Sequence, residues 1–325
     1  MNDVEWHGSA ARAVCLLLAV LSCTTEKPKY DYPAYVIARL RVSEQPMGPV
    51  LSPDGQYLLL THWGATCQVY RIRTSDLAIL DSVFVDGQPV GAAMLPDGSR
   101  TYIACYSRNR VAVLNNSDLS FAALIPVGVH PTRTLVSPDG KYVYVSHVED
   151  SVMVISTESN TVVDTFPVFG KTWGMAFSPD DSFLYVPTGW DSALHVIRRW
   201  DNTEAGRVTG LLGPIDVVAL PDGQHVYVTC MDGGYVAGID VRELRVTQEI
   251  GIDGHPTGIA ALPNGDYLYV SSFDGSATVV IRTSDNEIVR TIPVGGLPDY
   301  MAVSAAGDRV YVALKSGDEL VVLGN

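Results

Sequence analysis

The chain has 325 residues, 47% hydrophobic and 18% charged, with 22 basic against 36 acidic side chains and a net charge of −14. That balance supplies ample core and excludes an intrinsically disordered chain. No Lys/Arg run exceeds two residues, so the basic stripe that a nucleic-acid groove needs is missing. There is also no P-loop, no Gly-x-Ser-x-Gly elbow and no dinucleotide fingerprint.

In chain order, Arg12 is followed by an apolar run over residues 13–21. The run is too short to span a bilayer and has the length of a signal-peptide core. Val20-Leu21-Ser22-Cys23 resembles a bacterial lipobox, in which Cys23 becomes the lipid anchor and first mature residue. Asp3 and Glu5 make the leading segment less basic than such signals usually are. The expectation is a lipoprotein-type signal over 1–22, a tether over 23–33 and a folded body over 34–325. It implies a bacterial cell-envelope protein, lipid-anchored or periplasmic, that touches a membrane only through its lipid.

A strand is predicted at Tyr35–Val42, and a phrase then recurs seven times. It reads Ser52-Pro53-Asp54-Gly55, Leu95-Pro96-Asp97-Gly98, Ser137-Pro138-Asp139-Gly140, Ser178-Pro179-Asp180-Asp181, Leu220-Pro221-Asp222-Gly223 and Leu262-Pro263-Asn264-Gly265, with a worn copy at Ser304-Ala305-Ala306-Gly307. The third positions are 43, 42, 41, 42, 42 and 42 residues apart. Such a period marks a unit that cannot bury its own apolar faces and leans on its neighbours.

The third copy shows the contents of one unit. Pro131–Ser137 is extended, Pro138-Asp139-Gly140 turns, and Tyr142–Ser146, Val152–Ile155 and Thr161–Phe166 are runs rich in β-branched and aromatic residues. Four strands with both faces apolar describe a propeller blade. The seventh copy ends after three strands, so Tyr35–Val42 is expected to supply the fourth. The fold class is therefore all-β: a seven-bladed β-propeller of four antiparallel strands per blade, its last blade closed by the N-terminal strand.

The residues Tyr142-Val143-Tyr144-Val145-Ser146-His147, Tyr227-Val228-Thr229 and Tyr269-Val270-Ser271-Ser272 resemble the motif of YVTN-repeat β-propellers. The resemblance covers residues 34–325. It implies an envelope protein that binds partners or small ligands, in a group whose related propellers include lactonases, lyases and cofactor holders. Fold alone does not choose among these.

Cys67, Cys105 and Cys230 are odd in number and lack a zinc spacing, so small buried thiols are the expected reading, with a Cys67–Cys105 pair as the alternative. Chemistry is expected at one mouth of the channel, where the segments leading into the innermost strands meet the loops between second and third strands. Two residues after a recurrent proline (threonine in blade 4) the copies read Gly48, Gly91, Arg133, Gly174, Asp216, Gly258 and Tyr300. Arg133, Asp216 and Tyr300 break the glycine pattern, and Trp173 adjoins Gly174; mutual compensation of Arg133 and Asp216 is the structural alternative. The second loops carry Trp63, Tyr106, Trp190 and Phe273, with Lys315 and Met231 at matching places.

These eight residues (Trp63, Tyr106, Arg133, Trp173, Trp190, Asp216, Phe273 and Tyr300) are the expected contacts for a small molecule, peptide, saccharide or envelope protein. The expected function is binding by a monomer without catalysis and without cofactor. The rival is a hydrolase- or lyase-type enzyme, or a propeller holding a metal ion or haem-type cofactor, with His130, His147 and His255 at the mouth as acid/base groups or ligands.

Overall fold

A computed structural model describes residues 31–149 and 151–325. The expected signal segment, Cys23 and most of the tether lie outside the described residues. Each repeat forms a four-stranded antiparallel sheet, and the seven sheets make a β-propeller. Blades 1 to 6 span residues 46–84, 89–126, 131–167, 176–209, 214–251 and 256–293. Blade 7 combines residues 298–324 with the N-terminal strand Tyr35–Arg41.

The recurrent phrase works by local hydrogen bonding. Ser52 Oγ donates to Asp54 Oδ1 at 2.6 Å and accepts from the Tyr57 amide at 3.1 Å, which fixes the step from first to second strand. Ser137 and Ser178 repeat the bond to Asp139 and Asp180. The fourth position needs a left-handed backbone, with φ of 68° at Gly55 and 71° at Gly140. In the fourth copy Asp181 takes that role at φ 59°, a conformation Asp tolerates better than most residues, and its carboxylate accepts from Arg199 at 3.0 Å.

The core is divided among the interfaces between blades. Leu58, Leu60 and Ile72 of blade 1 pack on Tyr311, Ala313, Leu320 and Val322 of blade 7. Tyr267, Tyr269 and Val280 of blade 6 meet Met301, Val310, Val312 and Leu323 of blade 7 from the other side. Every sheet is thus sandwiched, and the second strands are apolar on both faces.

Buried hydroxyls tie the inner strands together. Thr61 donates to Val90 O at 2.6 Å, Thr132 to Thr172 O at 2.8 Å and Thr229 to Thr257 O at 2.7 Å. Farther out, a tyrosine of one blade reaches the outer turn of the next: Tyr102 to Asn160 at 2.8 Å and Tyr227 to Asn286 at 2.6 Å.

Closure follows the same logic with different residues. Tyr35–Arg41 runs antiparallel to Glu319–Gly324, pairing Tyr35 with Gly324 and Arg41 with Glu319. This agrees with the expected origin of the missing strand. Tyr269 of blade 6 has no outer turn of blade 7 to reach, so it donates to Pro33 O at 2.9 Å, while Tyr267 donates to Asp31 at 3.0 Å.

Blade 4 departs from the others. Its innermost strand is only Ala176–Phe177, where the other blades have six residues. The preceding Gly174 amide bonds to Ile215 O of blade 5 at 2.9 Å, and Thr172 Oγ1 to His147 O of blade 3 at 2.8 Å. The segment 172–174 is shared between neighbours, and Trp173 is released to the mouth.

The Tyr269 latch is open to test. Tyr269→Phe leaves the Pro33 carbonyl without its partner and is expected to cost about 1–3 kcal/mol. Denaturant unfolding measures it; a change within error of zero would show that the latch contributes nothing to closure.

Candidate functional site

The two loop groups do converge on one opening. A cavity of about 570 Å³ is lined by residues of both groups, drawn from every blade except blade 3. Its walls carry Trp63, Tyr106, Trp173, Trp190, Phe273, Met47 and Met231; its polar lining includes Asp216, Thr257, Asp299, Lys171, Lys315 and Asp232. Tyr106 is presented by a short 3₁₀ turn, Tyr106–Arg108.

The floor derives from crowding at the channel axis. A β-carbon at Gly91 would lie 2.8 Å from Arg133 Cα, and one at Gly174 would lie 2.7 Å from Asp216 Cα. Gly258 is similarly pressed against Asp299 and Tyr300. Each large residue is accommodated because the blade before it has glycine at the matching position. Arg133, Asp216 and Tyr300, from blades 3, 5 and 7, then meet across the axis: the Arg133 guanidinium lies 4.0 Å from Asp216 Oδ2 and 4.6 Å from the centre of the Tyr300 ring.

Charge in this floor is close to balanced. Burial pushes the Asp216 carboxyl upward, against the pull of Arg133 and the amides of Val217 and Ile259. Burial also raises the Tyr300 phenol, so it stays neutral at physiological pH. Asp299 is pushed up to about 6 by burial, which Lys315, Arg133 and a Thr257 hydrogen bond only partly oppose and Asp216 reinforces. Among the described residues Asp299 makes no ion pair within 4 Å.

The walls form a chain of rings. Trp63 and Tyr106 are 4.7 Å apart, and Tyr106 stacks on His130 at 4.5 Å. Lys315 lies over Trp63 at 5.7 Å and Lys171 over Trp173 at 4.9 Å. Trp190, 58% exposed, follows Thr188, whose hydroxyl bonds Asp191. Asp191 also accepts from buried His195 at 2.9 Å, and Glu204 lies 3.2 Å from the other imidazole nitrogen. This network fixes the turn that displays Trp190.

Of the residues singled out from the sequence, Trp63, Tyr106, Trp173, Trp190, Asp216, Phe273 and Tyr300 line the cavity, whereas Arg133 stands behind its floor. The histidines do not assemble. His130 stacks on Tyr106; His147 is buried, with Nδ1 3.4 Å from Ser151 O; exposed His255 pairs with Asp274. Burial lowers His147 to about 4, which keeps it neutral. Among the described residues no group of three or more His, Cys, Asp or Glu side chains is arranged to hold a metal ion, and the three histidines of the rival reading each have a separate neighbour. Cys67, Cys105 and Cys230 are free thiols, and burial pushes Cys105 to about 11 and Cys230 to about 12, away from the reactive thiolate.

Sequence reasoning missed Asp299, Lys171 and Thr257. The position directly after the recurrent proline or its counterpart Thr172 reads Met47, Val90, Thr132, Trp173, Ile215, Thr257 and Asp299, and five of these line the cavity. Comparing copies at that position would have singled out Asp299, the one acid among them.

No protein-family model matches the chain. The resemblance to YVTN-repeat propellers therefore rests on the repeat residues, and that family is not shown. Antigen Lp49 of Leptospira interrogans is 26% identical over 180 residues, 47% of this chain and 38% of that protein. Hydrazine synthase subunit beta of Kuenenia stuttgartiensis is 30% identical over 154 residues, 33% of this chain and 40% of that protein. The chain thus matches well under half the length of either curated relative. A solved structure of Kuenenia stuttgartiensis hydrazine synthase superposes with a TM-score of 0.79 at 20% identity, covering 93% of this chain and 98% of that one. This likeness shows the propeller fold.

Two outcomes follow from the floor. Gly174→Ala forces the Asp216 backbone outward and is expected to cost about 1–3 kcal/mol by overpacking; an unchanged midpoint of thermal unfolding would contradict the crowding. Asp299, raised in the folded state above its usual 3.8, holds its proton better folded than unfolded. Its contribution to stability is therefore greatest below about pH 4, declines between pH 4 and about 6, and is flat above. Asp299→Asn should melt higher than wild type at pH 8 and show no such advantage at pH 4. The same offset at both pH values would refute the assignment.

Proposed function

We propose that the mouth cavity binds a ligand without transforming it. The observation that carries this reading is the convergence of Trp63, Tyr106, Trp173, Trp190, Phe273 and Tyr300, contributed by five blades, around one concavity. Aromatic rings supply large contact area at small cost in side-chain entropy, and a few polar groups in the floor give orientation. A ring of sheets closed on itself holds these groups in place before a ligand arrives, which limits the ordering cost of binding.

The proposal includes location: an extracytoplasmic propeller tethered by lipid on Cys23, as the lipobox-like Val20–Cys23 suggests. Incorporation of labelled palmitate into wild type and its loss in Cys23→Ser would support the anchor. A protein partner is the second reading, favoured by the name of one relative, a subunit of hydrazine synthase.

The cavity is tested by intrinsic tryptophan fluorescence during titration with a panel of disaccharides, tripeptides and aromatic metabolites. Trp190→Ala is expected to weaken binding at least about tenfold, the loss typical of a central aromatic anchor. Trp200→Ala, at a 69% exposed ring packed near Phe183 away from the cavity, should leave it unchanged. Equal affinity in both variants would remove the cavity from consideration.

A further inference from the structure

We infer that the mouth takes a small organic cation, a protonated amine on an apolar or aromatic body, with the amine on Asp299 and the body against Trp190 and Phe273. The inference rests on the cavity being a binding site, and it adds the chemical class of the ligand.

The argument starts from which charges inside the cavity are already satisfied. Arg133 is the counter-charge of Asp216. Lys315 and Lys171 have each settled on a tryptophan face, Trp63 and Trp173 respectively. These two contacts show that an ammonium group is accommodated on the rings of this cavity, as the negative face of an aromatic ring favours. Two kinds of group remain. Asp299 and Asp232 line the cavity and, among the described residues, have no ion-pair partner within 4 Å; Asp232 is exposed, whereas Asp299 is half-buried among the floor residues. Trp190 and Phe273 line the same space and, among the described residues, carry no cation. A half-buried carboxylate outside direct ion-pair range of any cation, sharing one cavity with rings that carry none, is complementary to an amine with an apolar body.

The surroundings make the carboxylate responsive. The charged and titratable groups around Asp299 are Asp216, Arg133, Lys315 and Tyr300, with Lys171 and Asp232 elsewhere in the lining. Asp216 and burial disfavour its ionisation, Lys315 and Arg133 favour it, and the net position is about 6. An arriving ammonium group adds the positive charge that burial withholds. Binding is therefore expected to release a proton near pH 6 and to weaken as the medium becomes more acidic. The acidic surface, with a net charge of −14, attracts the same sign of ligand from a distance.

The experiment compares phenethylamine, 2-phenylethanol and 3-phenylpropionate, which share a ring and differ in charge, by calorimetric titration of the whole protein at pH 5 and pH 8. Phenethylamine is expected to bind about tenfold more tightly than the alcohol at pH 8, the worth of one charge-assisted hydrogen bond. That preference should shrink at pH 5 and vanish in Asp299→Asn, whose amide keeps the size of the carboxyl. Far-ultraviolet circular dichroism of the variant checks that it is folded. Equal binding of the three compounds, or tighter binding of 3-phenylpropionate, would overturn the cation assignment while leaving the cavity a binding site. A preference for the amine that survives in Asp299→Asn would also overturn it. No saturable binding of any of the three would count against both readings.

Discussion

Every sheet in this molecule is apolar on both faces, and that constraint requires the ring. A lone blade would expose the surfaces that Leu58, Leu60 and Ile72 now bury against Tyr311 and Val322. Covering one face by a neighbour moves the problem along by one blade, so the array is satisfied only when the last blade meets the first. The strand Tyr35–Arg41 completes blade 7 and pairs with Glu319–Gly324, which would otherwise present an open edge. The Arg39–Glu319 ion pair at 2.7 Å spans the same join, but its exposure makes it a minor contributor beside the ladder and the apolar contacts.

Closure has a price at the axis, where seven inner strands crowd together. Thr61, Thr132 and Thr229 bond across the gaps, and glycines absorb most of the crowding. The large residues occupy alternate blades: Gly91 precedes Arg133, Gly174 precedes Asp216 and Gly258 precedes Tyr300. Alternation of small and large lets three bulky groups fit where seven could not. Their meeting contributes a floor to the channel on the mouth side, which leaves a concavity above it with aromatic walls. The cavity is thus a consequence of how the ring packs, and its chemistry comes from the loops placed around it.

The same separation explains why fold and function are read from different residues. Substituting a blade interface threatens closure, whereas substituting the exposed Trp190 changes what the mouth offers a ligand. Blade 4 shows the boundary between the two roles. Its innermost ladder is reduced to Ala176–Phe177, and the segment before it bonds to blades 3 and 5. Regular pairing is given up there, and Trp173 reaches the cavity as a result.

The repeat spacing, the Pro-Asp-Gly turns and the orphan strand near the N-terminus were enough to specify a closed seven-bladed propeller, because those signals are local or strictly periodic. Loop polarity along the chain likewise grouped Trp63, Tyr106, Trp190 and Phe273 on one side. The sequence could not say that Arg133 retreats behind Tyr300, that His130, His147 and His255 find separate partners, or that Asp299 makes no direct ion pair among the described residues. Those outcomes depend on which side chains from distant blades arrive within a few ångströms of one another, and that is decided only when the ring closes and brings residues such as Arg133 and Tyr300 into contact.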